Sequence, residues 1–437
     1  MPFSELDTAA VARTLSQLGE QPDDLIDAFF ERREELELPP EGEGPGLRIR
    51  REEGFAVRLV RAGQTWLASR DGIEEKSFAD ALRQVARALP SLSYPEPLLR
   101  VGAPAPAGAG RELFEFPAAV GRAVRAHHAG FPLRLTVRRH RRWLQVVGPR
   151  LVAAAEKEAF YSCAVESAWG RYGVLLPALD GAAAEAVAAA VVDQFRARHA
   201  APPAPFCGVL VLGPEAVAVL LHEAVGHTLE ADVLAQGGRA EAAVGVALAA
   251  SCLDVLDDPA AAPAPVRRTT DDEGLPVCRR WLLRAGVVEQ PLADALWAAT
   301  SPALVPGAGR RGTRHLPPAP RSSHLELLPG ETAWSALLAD AQGGLYVPAA
   351  SRGALDAQSG ELTLHFPCAR RIRRAVLGEP VGACVLRGRV GELLARATAV
   401  GTEPRPAGAG WCAKGGQKLP VWATAPALRL EGVALSS

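Results

Sequence analysis

PEAVAVLLHEAVGHTLEAD, residues Pro214–Asp232, follows CGVLVLG (Cys207–Gly213), an apolar run with the composition of a buried strand. Gly213 suits the turn. Pro214 suits the first helical position, where a missing N–H leaves nothing unpaired. The helix that follows carries His222, Glu223 and His227. The second histidine comes one residue later than in the H-E-x-x-H zinc motif. At roughly 100° per residue, an ideal helix would hold the two rings about 140° apart, too wide to grip one ion. Two local devices would bring them together. One is an extra residue taken up as a π-bulge; the other is a helix that ends near Gly226, where glycine tolerates unusual backbone angles. Without either, the histidines are core residues of an Ala/Val/Leu helix. Glu223 favours a functional site, because a carboxylate in an apolar segment needs a reason to be buried.

The 437 residues suffice for two or three domains with real cores. A formal net charge of −1 gives no global field toward nucleic acid or an anionic membrane. The opening MPFSELDTAAVARTL carries acids and no hydrophobic signal-peptide core, and the Ala-rich run at Ala182–Val192 is too short to span a bilayer. Seven scattered cysteines without C-x-x-C pairing read as a reducing, cytoplasmic setting. Three arginine runs, RRHRR (Arg138–Arg142), RRGTR (Arg310–Arg314) and RRIRR (Arg370–Arg374), are separated and lack aromatic interleaving. They read as solvated strand faces rather than a nucleic-acid surface.

The pattern is α+β: an α/β N-terminal region, then a β-rich C-terminal domain carrying the HExxxH helix. Residues 5–38 read as helical, with Leu25, Ala28 and Phe29 at helical spacing and Pro39-Pro40 closing the segment. EGEGPG (Glu41–Gly46) is a loop. LRIRREEGFAVRLVRAGQTWLAS (Leu47–Ser69) alternates like antiparallel strands. SFADALRQVARAL reads as a helix with Ser77 as N-cap, Phe78, Leu82, Val85 and Leu89 on one face, and Pro90 as its stop. APAPAGAG (Ala103–Gly110) is a linker candidate and APPAP (Ala201–Pro205) marks the next boundary. The expected domains are therefore 1–102, 111–200 (with strand-like FPLRLTVRRHRRWLQVV and a long Ala-rich helix) and 206–437.

Near its end the sequence reads GAGWCAKGGQKLPVW (Gly408–Trp422). HEAVGH-x-x-E-x-D and this C-x-K-x-G-Q-x-x-P-V ending together resemble the TldD/PmbA metallopeptidases, of the TldD type. DDEG (Asp271–Gly274), PRSSHLELLPGE (Pro320–Glu331), GGLYV (Gly343–Val347), LDAQSGEL (Leu355–Leu362) and EPVGACVLRG (Glu379–Gly388) extend the likeness in order along the chain. Ala231 and Ala413 stand where the family usually has glycine, and His324 where it favours a residue such as asparagine. The resemblance implies that His222, His227 and the C-terminal Cys412 hold zinc, with the fourth position of the tetrahedron open. Glu223 would serve as the general base. It further implies hydrolysis of unfolded or short peptides, including leader removal or peptide maturation. The partner would be a TldE/PmbA-like subunit, or a second copy, in an assembly that encloses the site. Rival readings are a zinc-dependent tailoring enzyme acting on a peptide-derived metabolite, suggested by Ala231 and His324, and a catalytically silent scaffold subunit.

Several further residues carry expectations. Glu230 and Asp232 are either partners of the histidine N–H groups or solvated helix-end residues. Lys414 would help keep the Cys412 thiolate ionised. Arg321 is a candidate for binding a substrate carboxylate. Asp271, Asp272 and Glu273 read as a hydrogen-bonded turn rather than a metal site. His315, His324 and His365 are not expected to be ligands, and the remaining cysteines are expected to be small buried hydrophobes.

Overall fold

The computed structural model describes residues 3, 6–18, 24–43, 46–87, 110–127, 133–149, 151, 156–167, 170–198, 200–203, 205–237, 243–261 and 266–436. The expected Leu89 and Pro90 helix end and the linker at 103–109 lie outside the described residues. The chain is a mixed α+β, multi-domain molecule with a β-rich C-terminal region.

The N-terminal half is built on one antiparallel sheet. Its strands are β1 (Leu25–Leu38), β2 (Arg48–Arg61), β3 (Gln64–Asp71), β4 (Arg134–Val147), β5 (Glu156–Ser167) and β6 (Gly170–Leu176), in the order β3-β2-β1-β4-β5-β6. Strands from the stretches 1–102 and 111–200 thus share a sheet. Helices α1 (Thr8–Ser16) and α2 (Glu75–Ala86) pack with Phe30, Phe55, Val57 and Leu59, while α3 (Arg111–His127) and α4 (Gly181–Arg198) pack with Leu36, Val137 and Val165.

The helix expected over 5–38 is corrected here: only Thr8–Ser16 is helical, and Leu25–Leu38 is the sheet's central β1. A strand covered on both faces hides its alternation. Phe29 and Phe30 point to opposite sides, yet both are fully buried. The acidic LIDAFFERREELEL looked solvated because its partners lie elsewhere in sequence. Asp27 pairs with Arg58, and Glu31 with Arg142. Ser77 is not a cap either: α2 begins at Glu75, and its N-cap, Glu74, makes no side-chain capping bond.

Two of the three arginine runs need a similar correction, while RRIRR exposes Arg371 and Arg373 as expected. RRHRR lies in β4, where Arg139 and Arg142 are buried, and Arg310, Arg311 and Arg314 of RRGTR are at most 4% exposed. They belong to an ion network joining the N-terminal sheet to the C-terminal half. Arg58 Nη1 donates to Glu273 at 2.7 Å, Arg142 Nη2 to the Arg311 carbonyl at 3.0 Å, and the Arg311 guanidinium lies 4.3 Å from the Phe29 ring centroid. Asp272 accepts from Arg268 and from Arg311 N; Asp271 accepts from Gly309 N. The DDEG turn is thus a hub of hydrogen bonds, as expected. Deleting one member of such a buried set strands its partners, at a cost of about 3–5 kcal/mol.

The C-terminal half contains β7 (Phe206–Leu212), α5 (Pro214–Leu220), a π-helical turn (Leu221–Gly226) and α6 (Ala231–Gly237). Strands β8 (Val255–Asp257), β9 (Arg280–Arg284), β10 (Val287–Val288), β11 (Gly309–Arg310), β12 (Ala319–Pro320), β13 (His324–Leu327), β14 (Leu345–Val347), β15 (Arg352–Leu355), β16 (Glu361–Phe366), β17 (Ala369–Arg373) and β18 (Val376–Val381) follow. The chain closes with β19 (Cys384–Arg389), β20 (Ala397–Val400), β21 (Arg405–Lys414), β22 (Gln417–Ala425) and β23 (Leu428–Ser436). One sheet runs β10-β9-β8-β13-β22-β21; a larger one runs β15-β16-β19-β23-β7-β14-β17-β18, with β20 on β23. Helix α5 touches β21 and β22 of the first and β7 and β15 of the second. Flanked by both sheets, it is apolar beyond Glu215, with Ala216–Leu220 buried.

Among the described residues, no helix is long and apolar enough to cross a membrane. All seven cysteines are free. Cys163, Cys368 and Cys384 are buried as expected; Cys207 and Cys252 are exposed, contrary to expectation.

Candidate metal centre

The one-residue excess in HEAVGH is taken up where the sequence left two choices open. Leu221–Gly226 forms the π-helical turn, and His227 N donates to His222 O at 3.0 Å, an i to i−5 bond. The wider turn swings the two imidazoles together, with ring centroids 4.5 Å apart. Cys412 reaches them from β21, its Sγ 3.3 Å from His227 Nε2. The ligand atoms of His222, His227 and Cys412 all lie within 4.8 Å of one another.

Local chemistry fits a metal. Both ring nitrogens of His222 are buried without a hydrogen-bond partner among the described residues. Buried polar atoms are rarely left so, and the nitrogen that carries the lone pair is free to bind a Lewis acid. Burial, then the charge of His227, hold His222 well below its ordinary pKa, so its lone pair is available. Two histidines and a thiol are a donor set suited to zinc.

Behind His227 stands Glu230, fully buried and ionised, its Oε2 2.9 Å from Nδ1. Burial opposes that charge, but His227, Lys414 and Arg321 outweigh it and hold the carboxyl down to about 2. For His227 itself burial also opposes charge, and Glu230 with Cys412 overcomes it, raising the ring well above its usual pKa. A carboxylate on the far nitrogen fixes ring orientation and raises ligand basicity. Lys414 Nζ completes the group, 2.5 Å from Glu230 and 2.8 Å from Asp232. The expectation for Lys414 is corrected accordingly: it meets the two carboxylates rather than the Cys412 thiol.

Arg321 also differs from expectation. It is 3% exposed, donates to the carbonyls of Pro320 and Lys414, and lies 3.8 Å from Glu230. The carboxylate beside it belongs to the protein. Its guanidinium ties β12 to the tip of the β21–β22 hairpin.

That tip is clamped by a residue whose role the sequence did not reveal. Gln417 accepts from Gly312 N at 2.5 Å and donates to Pro317 O at 2.8 Å. The turn itself needs Gly415 and Gly416, both at positive φ. The C-x-K-x-G-Q spacing therefore supplies one candidate ligand, one ionic anchor, one turn and one clamp.

Glu223 borders the cluster. Burial pushes its carboxyl up, while His227 and a hydrogen bond from the Leu355 backbone act against that rise. Gly353 was also missed. A Cβ there would lie 2.4 Å from Glu223 Cγ and 3.0 Å from Val219 Cγ1, so only glycine lets β15 pass beside the carboxylate. His324 lies apart, its Nε2 2.9 Å from Thr424 Oγ1, and His315 meets Ser69 at 3.0 Å.

Residues 209–437, just over half of the chain, match the family model described as PmbA/TldA metallopeptidase C-terminal domain. The chain belongs to the PmbA/TldD family. Over 237 residues it is 30% identical to a metalloprotease of Methanothermobacter thermautotrophicus, covering 54% of this chain and 52% of that protein. It is 29% identical over 230 residues to a metalloprotease TldD homolog of Haemophilus influenzae, covering 51% and 47%. The matched region thus spans about half the length of these relatives. The fold extends further: TldE from Thermococcus kodakarensis superimposes with a TM-score of 0.74 at 17% identity, covering 98% of this chain and 99% of that one.

Proposed function

We propose that this PmbA/TldD family member is a zinc-dependent peptidase that hydrolyses unfolded or short peptides, including leader removal or peptide maturation. The observation that carries the reading is the convergence of His222, His227 and Cys412 beside the carboxylate of Glu223. When bound, zinc polarises a scissile carbonyl and makes water more acidic. Glu223 takes the proton of the attacking water and returns it to the departing amine. Glu230 and Lys414 keep the His227 ring in place. The buried wall of α5 excludes bulk water on one side.

The working form is proposed to be an assembly with a TldE-like subunit or a second copy, which restricts the site to extended chains. The TldE-like fold supports that reading. A silent scaffold has no need for a ligand triad with a neighbouring base. A tailoring reaction on a peptide-derived metabolite would use the same residues, and a peptide-library digest separates the two.

The test is Cys412→Ala. It is expected to lower zinc content, measured by plasma mass spectrometry, and to abolish peptide hydrolysis. Full zinc loading in that variant would overturn the ligand assignment.

A further inference from the structure

Beyond the metal centre the molecule has a second cleft of about 680 Å³ between the N-terminal sheet and the β21–β22 hairpin. One wall is a sheet face made of three cross-strand rows, Arg33–Arg142–Glu158, Glu35–His140–Phe160 and Glu37–Arg138–Ser162. The other wall is Trp411 and Lys418 of the hairpin. Trp411 and Cys412 are consecutive on one strand, so their side chains leave opposite faces. The cleft and the metal centre therefore lie on the two sides of β21.

The aromatic groups are already assembled. His140 stacks on Phe160 at 4.8 Å, and Trp411 meets both edge-on at 5.4 and 5.7 Å. Trp411 nevertheless keeps 37% of its surface exposed. The carboxylates of the cleft have cationic partners. Glu37 takes Arg138 at 2.6 Å and Arg48 at 2.8 Å, Glu34 takes Arg51 at 3.0 Å, and Glu35 lies 3.7 Å from Arg138. Lys418 is different. Its ammonium sits 4.7 Å from the Trp411 ring centroid and has no carboxylate partner among the described residues.

We infer that this cleft binds the carboxyl-terminal end of a peptide with an aromatic side chain at or near that end. The terminal carboxylate pairs with Lys418, and the ring packs on Trp411. A polyphosphate or nucleic-acid strand fits less well, because the arginines of the cleft are already engaged by carboxylates of the protein, and one carboxylate suits the one uncommitted cation. The site needs no metal, and its occupancy is independent of the reaction proposed for the other face of β21.

The test is calorimetric titration of the full chain with N-acetyl-Ala-Phe as the free acid and as its carboxamide. The acid is expected to bind with a Kd of about 0.1–1 mM, and the amide roughly tenfold more weakly, the worth of one ion pair in a partly exposed cleft. Lys418→Glu should weaken acid binding by about tenfold or more. Lys418→Gln, which adds no new charge to the fold, should weaken it by a smaller factor. Glu223→Gln should leave it unchanged. Equal binding of acid and amide, parental affinity in both Lys418 variants, no binding of the acid, or loss of binding on chelation of the metal would each overturn the inference.

Discussion

Replacing Glu223 by Gln keeps the shape of the side chain and removes its capacity to accept a proton. Turnover in a peptide-cleavage assay is expected to fall by about 10²-fold or more with zinc content unchanged. An active Glu223→Gln enzyme would refute the role given to this residue. Gly353 gives a subtler handle. Gly353→Ala forces a methyl group into the space of Glu223 Cγ. Because small misplacements of a reacting group are costly, kcat should drop by roughly 10–100-fold while metal content and KM stay near parental. Parental kcat would show that the carboxylate can retreat without consequence. His222, Glu223 and His227 were legible in the sequence because their spacing posed a definite geometric question. Arg321 and Lys414 were singled out, but their partners were not legible, since burial and long-range contacts are absent from a local pattern. Both point toward Glu230, an acid already suspected from its place after His227. Gly353 left no local signal, because what it must avoid lies 130 positions away.

At the scale of elements, the π-helical turn is an α-turn with one residue added. Deleting Ala224 should return Leu221–Gly226 to α geometry and give the histidines an i, i+4 spacing, which also places them on one face. That variant is expected to retain most of its zinc, measured against protein by plasma mass spectrometry. Deleting Ala216 from the regular part of α5 shifts the whole buried face by about 100° and should abolish binding. Similar zinc loss in both deletions would refute this account of the turn. Strand β7 (buried only over Leu210–Leu212), helix α5 and the strands β2 and β3 were readable because their patterns agree with their surroundings. Strand β1 was not: its acids are neutralised by arginines from β2 and β4, so a buried strand carries the composition of an exposed helix.

Across the whole molecule, the ion network at the junction of the two halves sets the response to pH. Burial, reinforced by Glu273, pushes Asp271 up to about 8 and Asp294 up to about 7. At neutrality Asp271 is mostly protonated in the fold and Asp294 about half so, whereas both are ionised in the unfolded chain. Their contribution to stability is fully present below about pH 4 and is lost as pH rises through 7 and 8. Glu31 behaves in the opposite sense. Burial resists its charge, Arg142 and Arg33 outweigh that, and its carboxyl falls to about 2. Its contribution is present above about pH 4.5 and is lost as pH falls through 2. The melting temperature followed by scanning calorimetry should therefore be highest in mildly acidic solution and decline between about pH 5 and 8. Asp294→Asn keeps a capping group for Trp297 N and should flatten that decline. A melting temperature that rises steadily from about pH 5 to 8 would refute the assignment.

Cys412 follows His227 by 185 positions. At roughly 5–20 residues per second, a ribosome needs about 10–40 s to travel between them. Strand β7, which leads into the histidine helix, waits longer still, because one of its two neighbours in the sheet is β23. A nascent chain therefore carries its histidines and its base for many seconds without a thiol to join them. For the peptidase activity proposed above, this order of synthesis keeps the site inert beside unfolded polypeptides, including its own unfinished chain.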